Sequence, residues 1–317
     1  MLNNFEKKHK EQVCVSIVLL TRNQERFLSK SFPLLVNQNT DFSYEIIALC
    51  TKSRDKTLEL CRRYCTKTLE IPKENFHHAK TRNLGIKLAK GEYIVFLVGD
   101  AVPFNTSWLQ NLVIPLTEDI EIMAGYSKQI PHPEAPPWEK RDILYGNSGI
   151  TRRKIKVDFS NLQQSEDYTE NPEKYIKLNN ISTVYRSDFL NRHPFDGRMV
   201  VAEDRELCKR IIELGYAILF IPESKVFHSH DFGLKQLYYR CYTHKLFSEV
   251  IAKTHERKSL MASLTSWISQ TVEDIFFLVY EYDKRALSDV LKWLPKIFFV
   301  RLLRELAFWK VCRKSRR

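Results

Sequence analysis

The sequence predicts an α/β fold: a mostly parallel sheet flanked by helices, with a C-terminal helical extension. Three observations carry this. Short apolar runs that do not alternate with polar residues recur through the first hundred positions, as strands covered on both faces do. Amphipathic segments stand between them, and the order strand, helix, strand, helix, strand requires crossovers between parallel strands. Beyond Phe232 the pattern changes to helical stretches rich in aromatics with basic residues interleaved.

Val13 to Leu20 (VCVSIVLL) is the first buried strand, and TRNQERFLSKSFPLLVNQ follows as a loop and a helix. Tyr44 to Leu49 is the second strand. Asp55 to Tyr64 has an acidic start and helical spacing of Leu58 and Cys61. Thr68 to Ile71 is a short third strand, Thr81 to Lys90 a helix, and Tyr93 to Val98 a fourth strand stopped by Gly99 and Pro103. Asp100 therefore stands at the carboxyl end of a central strand, where open α/β sheets place their ligands. By position alone it reads equally as a cap of the next turn. Trp108 to Pro115 reads as helix and Ile122 to Tyr126 as strand. Pro131 to Pro137 is proline-rich and Arg152 to Lys177 polar, so this region reads as an irregular loop with the character of a mobile lid. Asn179 to Arg186 is a strand and Glu203 to Leu214 a helix with Leu207, Ile211 and Leu214 on one face. Ala217 to Ile221 and Lys225 to His228 are two short strands. Three regions result: a polar segment at 1–12, an α/β domain at 13–232, and a basic helical region at 233–317.

The bulk properties narrow the class. A chain of 317 residues with 44% hydrophobic and 28% charged residues is that of an ordinary globular protein. The net charge of +12 points to an anionic partner. No nucleic-acid motif accompanies that charge, so no nucleic acid is expected. The seven cysteines are scattered with no CxxC pair, which reads as reduced thiols rather than a disulfide or zinc framework. The N-terminus lacks the apolar run of a signal peptide, and no apolar stretch reaches the roughly 18 residues of a membrane span. The expectation is a cytoplasmic protein, with the inner membrane face as its farthest reach.

Polar clusters fall at the predicted strand ends: Thr21-Arg22-Asn23, Ser53-Arg54-Asp55, His77-His78 with Arg82-Asn83, Asp100, Glu203-Asp204 and His228-Ser229-His230. Loops after parallel strands converge on one edge, so these groups share one crevice. Neither GxGxxG nor GxxxxGKS occurs, so phosphates here require a metal and basic side chains instead.

These pieces together resemble the inverting glycosyltransferases of family 2, with a GT-A (Rossmann-like) fold, and most closely the rhamnosyltransferase-like branch. The resemblance runs from Val13 to Leu246. It rests on VSIVLLTRN, SRDKT, FHHAKTRNLGIKLAKGEYIVFLVGDAVP, AEDRELCKRIIELGY and PESKVFHSH, in that order. It implies a nucleotide-diphosphate sugar donor, a glycan or lipid-linked acceptor, and Mn²⁺ or Mg²⁺ to neutralise the leaving diphosphate. Asp100 matches the metal-binding acid of the DxD-type motif, whose first acid is replaced by Val98. His228 and His230 are the further metal ligands implied. Asp204 matches the base that takes the acceptor proton, with Glu203 beside it to orient it or bind acceptor hydroxyls; as a plain helix start, both acids favour the dipole. Thr21, Asn23, Asp55, His78 and Arg82 match the donor side, Arg82 as a diphosphate clamp. Asp55 reads equally as a helix cap before Thr57. Family members commonly carry an Asp after the second strand that reads the base; Cys50 stands there, which leaves room for a catalytically silent nucleotide- or glycan-binding protein on the same fold.

The chain closes on WLPKIFFVRLLRELAFWKVCRKSRR. A basic helix with aromatics on its apolar face lies in a membrane interface, drawn to anionic lipid. The same pattern also fits a helical subdomain with a solvated basic tail.

Overall fold

The four apolar runs at the start of the chain become the parallel half of one sheet. In the computed structural model, which describes residues 14–146, 151–230, 232–252, 258–282 and 287–314, they are β1 (Val15–Thr21), β2 (Tyr44–Thr51), β3 (Lys67–Ile71) and β4 (Tyr93–Val98). The expected polar segment 1–12 and the terminal Arg316 and Arg317 lie outside the described residues. β1 is buried along its whole length, as an unbroken apolar run between two helical layers must be. The strands lie in the order β3-β2-β1-β4, all parallel. Their crossovers are α1 (Glu25–Leu35), α2 (Thr57–Tyr64) and α3 (His78–Leu88).

Beyond β4 the sheet becomes mixed. The remaining elements are β5 (Val102–Pro103), α4 (Trp108–Glu118), β6 (Ile122–Ile130), α5 (Pro137–Gly146), β7 (Arg153–Ile155), α6 (Leu162–Glu170), β8 (Ser182–Arg186), α7 (Ser187–Arg192), α8 (Glu203–Glu213) and β9 (Ala217–Phe227). β8 runs antiparallel between β4 and β6; β9 is parallel to β6 and pairs antiparallel with β5 and β7. Val98 N–H donates to Ile181 O at 3.1 Å, so the residues before β8 meet the carboxyl end of β4. That junction positions the candidate site.

The structure differs from the sequence reading in two places here. The two short strands expected at 217–221 and 225–228 are one strand. The register steps from Ser127 opposite Ile221 to Lys128 opposite Lys225, so Pro222 to Ser224 bulge out. A bulge accommodates a proline that has no N–H for the ladder. Buried Ser224 is held there, its hydroxyl 2.8 Å from Ser127 Oγ and 3.2 Å from Trp108 O. The second difference is the segment 152–177, which is built rather than irregular. It carries β7, α6 with Asn161 as its side-chain cap, and a 3₁₀ turn at Pro172–Lys174, with Tyr168 and Ile176 buried.

The chain divides into two compact units, Met1–Ile130 with Gly149–His228, and Pro131–Ser148 with Ser229–Arg317. The first is the sheet and its helices. The second contains α5, α9 (Leu234–Ala252), α10 (Leu260–Tyr280) and α11 (Leu287–Lys314), so the proline-rich 131–137 stretch leads into a helix of this unit. Its core joins Trp138, Leu237, Phe277, Leu278, Ile297 and Val300. Buried Arg301 donates to both oxygens of Asp274, at 2.6 and 2.7 Å, and to Asp142 at 2.8 Å.

Candidate active site

The crevice starts at the carboxyl ends of β1 and β2. Asn23 takes a left-handed conformation (φ 50°), which asparagine tolerates better than most residues. This turns its carboxamide to accept from Arg54 N–H at 2.9 Å, while its own N–H donates to Ser53 Oγ at 3.0 Å. Asp55 accepts from the N–H groups of Glu25 (3.1 Å) and Thr57 (3.1 Å) at the starts of α1 and α2. Burial pushes its carboxyl up, but these donors and the Thr57 hydroxyl outweigh burial and hold it below the usual range. Asn23 and Asp55 thus staple the two loops together. Thr21 is buried, and its hydroxyl has no hydrogen-bond partner among the described residues. Gly99 lies against it; a Cβ there would sit 2.3 Å from Thr21 Oγ1, so only glycine lets the β4 turn approach β1 this closely.

That turn delivers Asp100. Ala101 N–H donates to Val98 O at 3.0 Å, closing the reversal between β4 and β5. The Asp100 carboxylate is largely buried, and its Oδ1 lies 3.8 Å from Nε2 of His228, which follows β9. On the other side of the ring, Gln129 Oε1 lies 3.0 Å from His228 Nδ1. The Gln129 amide nitrogen donates to Asn179 Oδ1 at 3.4 Å, so its oxygen faces the imidazole and accepts from Nδ1–H. Nε2 is the ring nitrogen that faces Asp100.

One residue past Asn179, the network reaches the second acid. Asn180 N–H donates to Asp204 Oδ2 at 3.0 Å, and Arg205 N–H donates to Asp204 Oδ1 at 2.8 Å. Asn180 is buried; its side-chain oxygen accepts from Tyr185 at 2.7 Å, and its Nδ2 has no partner among the described residues. Asp204 opens α8 behind Ala202, which is held at φ 61° in the left-handed region; a non-glycine residue there is strained. Asp100, His228, Gln129, Asn179, Asn180 and Asp204 therefore form one polar edge at the end of β4.

Glu203, beside Asp204 at the start of α8, is buried. It is ion-paired with Arg82 of α3, and both side chains are 5% exposed. Burial pushes the Glu203 carboxyl above its ordinary range, against the pull of Arg82. The Arg82 guanidinium lies 6.0 Å from the Phe96 ring centroid, and its Nε has no partner among the described residues. His78 is exposed at the start of α3, its ring edge-on to Phe76 at 4.9 Å. His77 caps that helix, receiving Lys80 N–H. Cys50 is fully buried within β2, packed toward Cys61, and its thiol is pushed up first by its hydrogen bond with Cys61 and then by burial. It packs in the core, with Ser53 Oγ of the crevice loop 3.8 Å from its sulfur. His230 opens the other unit, where its ring stacks on Phe232 at 4.5 Å and its N–H donates to Glu139 at 3.2 Å. It follows His228 by two residues, so their Cα atoms lie within about 7 Å of each other.

Asp100 Oδ1 and His228 Nε2 are candidate ligands for a cation. Two atoms each about 2.1 Å from one ion lie about 3–4 Å apart, which their separation matches. A carboxylate with an imidazole is a donor set that suits Mn²⁺ better than Mg²⁺. Gln129 and Asn180 carry no sequence signal of their own; one ends a strand and the other precedes one.

Residues 16–169 match the family model for glycosyl transferase family 2. The chain is similar to the O-antigen chain rhamnosyltransferase WbaN of Salmonella anatum, at 28% identity over 66% of this chain and 64% of that protein. It is also similar to RfbN of Salmonella typhimurium, at 25% identity over 67% of this chain and 65% of that one. It thus spans less than two thirds of either relative. Among solved structures, it shares its fold with the mannosyltransferase PcManGT of Pyrobaculum calidifontis, solved with GDP-Man and Mn²⁺ (TM-score 0.56, 14% identity, 96% of this chain and 87% of that one). A second is S. aureus TarS 1-349 with UDP-GlcNAc (TM-score 0.52, 16% identity, 96% and 92%). At these identities the likeness is one of fold, and it agrees with the GT-A sheet expected above.

Proposed function

Because this chain belongs to glycosyl transferase family 2 through its residues 16–169, we propose that it moves a sugar from a nucleotide-diphosphate donor to an acceptor hydroxyl, with inversion, in surface polysaccharide or lipid-linked glycan synthesis. The observation that carries this reading is the shared edge: Asn180 holds Asp204 one residue from the Asn179 that holds Gln129, which in turn holds His228 beside Asp100. That shared edge supports reading Asp204 as the base and Asp100 as the acid that faces the diphosphate.

Asp204 is the proposed base. Its carboxylate is fixed by two backbone N–H groups, which aim it and leave lone pairs to take the acceptor proton as the hydroxyl attacks. Glu203 and Arg82 hold the start of α8 through their buried ion pair. The orphaned Thr21 hydroxyl and the loop stapled by Asn23 and Asp55 form the nucleotide wall, with His78 exposed near its rim. Asp100 and His228 are the proposed holders of Mn²⁺ or Mg²⁺, with His230 as a third ligand two residues along the chain. When bound, the ion supplies Lewis-acid neutralisation of the leaving diphosphate. The acceptor is a glycan, free or lipid-carried, met at an anionic membrane surface through the C-terminal region. No described helix is long and apolar enough to cross a membrane.

The test is calorimetric titration with UDP, dTDP, GDP and CDP, with and without Mn²⁺, followed by transfer assays with the sugar donor of whichever nucleotide binds. Asp204→Asn is expected to keep nucleotide binding and lose at least 100-fold in transfer. Binding of none of the four nucleotides, or full transfer by Asp204→Asn, overturns the reading.

A further inference from the structure

α10 is oriented against the usual rule for a helix in water. Ser263, Ser266, Gln270 and Asp274 recur at a spacing of three or four and share its inward face, and the buried Phe277 and Leu278 complete that face toward the C-terminal end. The polar residues meet α11 through a hydrogen-bond ladder. Ser266 donates to Glu305 at 2.8 Å, Gln270 bridges Glu305 and Arg301, and Asp274 receives Arg301. The outward residues are apolar. Leu260, Leu264, Ile268, Val272, Phe276 and Tyr280 recur every fourth position and are 39 to 72% exposed. An exposed apolar stripe of this length marks an interaction surface.

We propose that this outer face of α10 is a docking surface for an anionic lipid bilayer. It deepens the membrane-surface reading above and rests on it. The stripe continues onto α11, because Trp267 lies edge-on to Phe298 at 4.6 Å and donates its indole N–H to Phe298 O. Phe299 is exposed beside it, and Lys292 and Lys296 stand exposed on the same side of α11, two turns and one turn before Phe299. The charge favours lipid over a second copy of the chain: residues 229–317 hold 17 Lys and Arg against nine Asp and Glu, and two such surfaces repel each other while anionic headgroups attract both. With no described helix able to span a bilayer, the face lies on the membrane. The face differs from the one the sequence suggested. The aromatic and basic α11 is the inner helix of its unit, with Ile297, Val300, Arg301, Glu305 and Ala307 buried, and α10, which has no basic residue, presents the apolar side.

The experiment uses the full chain with vesicles of phosphatidylcholine alone and of phosphatidylcholine with phosphatidylglycerol, read by flotation. The wild type is expected to float with the anionic vesicles and to release in high salt. The double variant Ile268→Glu/Phe276→Glu is expected to lose at least tenfold in binding, and Lys292→Glu/Lys296→Glu to lose the preference for anionic lipid. Both variants alter exposed residues, and nucleotide affinity measured beside flotation is expected to be unchanged. Nucleotide binding without flotation of the wild type sinks this proposal alone. Equal flotation of the Ile268→Glu/Phe276→Glu variant also overturns it, as does a wild-type dimer that this variant dissociates, which would make a second copy the occupant.

Discussion

Arg82→Met is expected to destabilise the sheet unit by about 3–5 kcal/mol at pH 7, the cost of leaving one partner of a buried ion pair uncompensated. The structure supports the upper part of that range. Both side chains are 5% exposed, they are in direct contact, and Glu203 is also near Asp204, a like charge. At about 4 Å and an effective dielectric of 20 the lost attraction is about 4 kcal/mol. A second signature follows from the raised Glu203 carboxyl. A carboxyl whose folded pKa lies above its unfolded one favours folding most at low pH, and that contribution is lost as pH rises through the folded value. Removing Arg82 raises it further, so the cost of Arg82→Met shrinks as pH falls toward about 4.5, where protonated Glu203 needs no partner. The double variant Arg82→Met/Glu203→Leu removes both charges and is expected to return to within about 1 kcal/mol of the wild type. Urea unfolding followed by far-UV circular dichroism at pH 7 and pH 4.5 measures all four corners of the cycle. A cost below about 1 kcal/mol for Arg82→Met at pH 7, or single-variant costs that simply add, would refute the reasoning and mean that water reaches the pair.

Three further outcomes are expected. Gln129→Leu is expected to weaken Mn²⁺ binding to the apo protein by about 10- to 100-fold, while Gln129→Glu, whose carboxylate also accepts from His228 Nδ1–H, keeps it; calorimetry showing one affinity for all three would reduce Gln129 to packing. Cys50→Asp places a carboxylate at a fully buried strand position, so it is expected to lower stability by on the order of 3 kcal/mol with no gain in nucleotide affinity; a thermal melt at wild-type temperature with tighter binding would contradict this. Asp142 is pushed up by burial but pulled lower by Arg304 and Arg301, so its contribution is present above its unfolded pKa of about 3.9 and lost as pH falls through the lower folded value. Asp142→Asn is therefore expected to cost about 2 kcal/mol at pH 7 and to flatten the acid limb of the helical unit's stability, read by circular dichroism from pH 5 to pH 2.

The parallel half of the sheet was legible because its cause is local. Ile17 to Leu20 and Tyr93 to Val98 are apolar without alternation, as strands covered on both faces are. The positions of Asp100 and Asp204 were legible for a related reason: one follows a strand and the other opens a helix, so their place at element ends follows from chain order. Gln129 and Asn180 were not. Their roles depend on β8 lying antiparallel between β4 and β6, a long-range pairing that brings residues 129 and 179 together from fifty positions apart. Cys50 lies inside β2 rather than after it because the strand runs two residues beyond its apolar run.

The orientation of α10 shows the limit more sharply. Periodicity states that a helix has two faces; it does not state which one is inside. In water the apolar face goes in by default, and a reader of the sequence assigns it so. Here the inner position is set by Arg301 and Glu305 of α11, whose buried charges need Asp274, Gln270 and Ser266 as partners. An unpaired buried guanidinium costs several kcal/mol, whereas an exposed isoleucine forgoes about 2. The polar ladder therefore decides the rotation of the helix, and Ile268 and Phe276 are left outward as its consequence. If the ladder sets the face, Arg301→Leu with Asp274→Leu removes the reason for it. With that buried pair gone, rotation of the apolar stripe inward is less strongly opposed, and the variant is expected to bind anionic vesicles less well. Unchanged flotation of that pair of substitutions would show that the outward stripe is held by something other than the ladder.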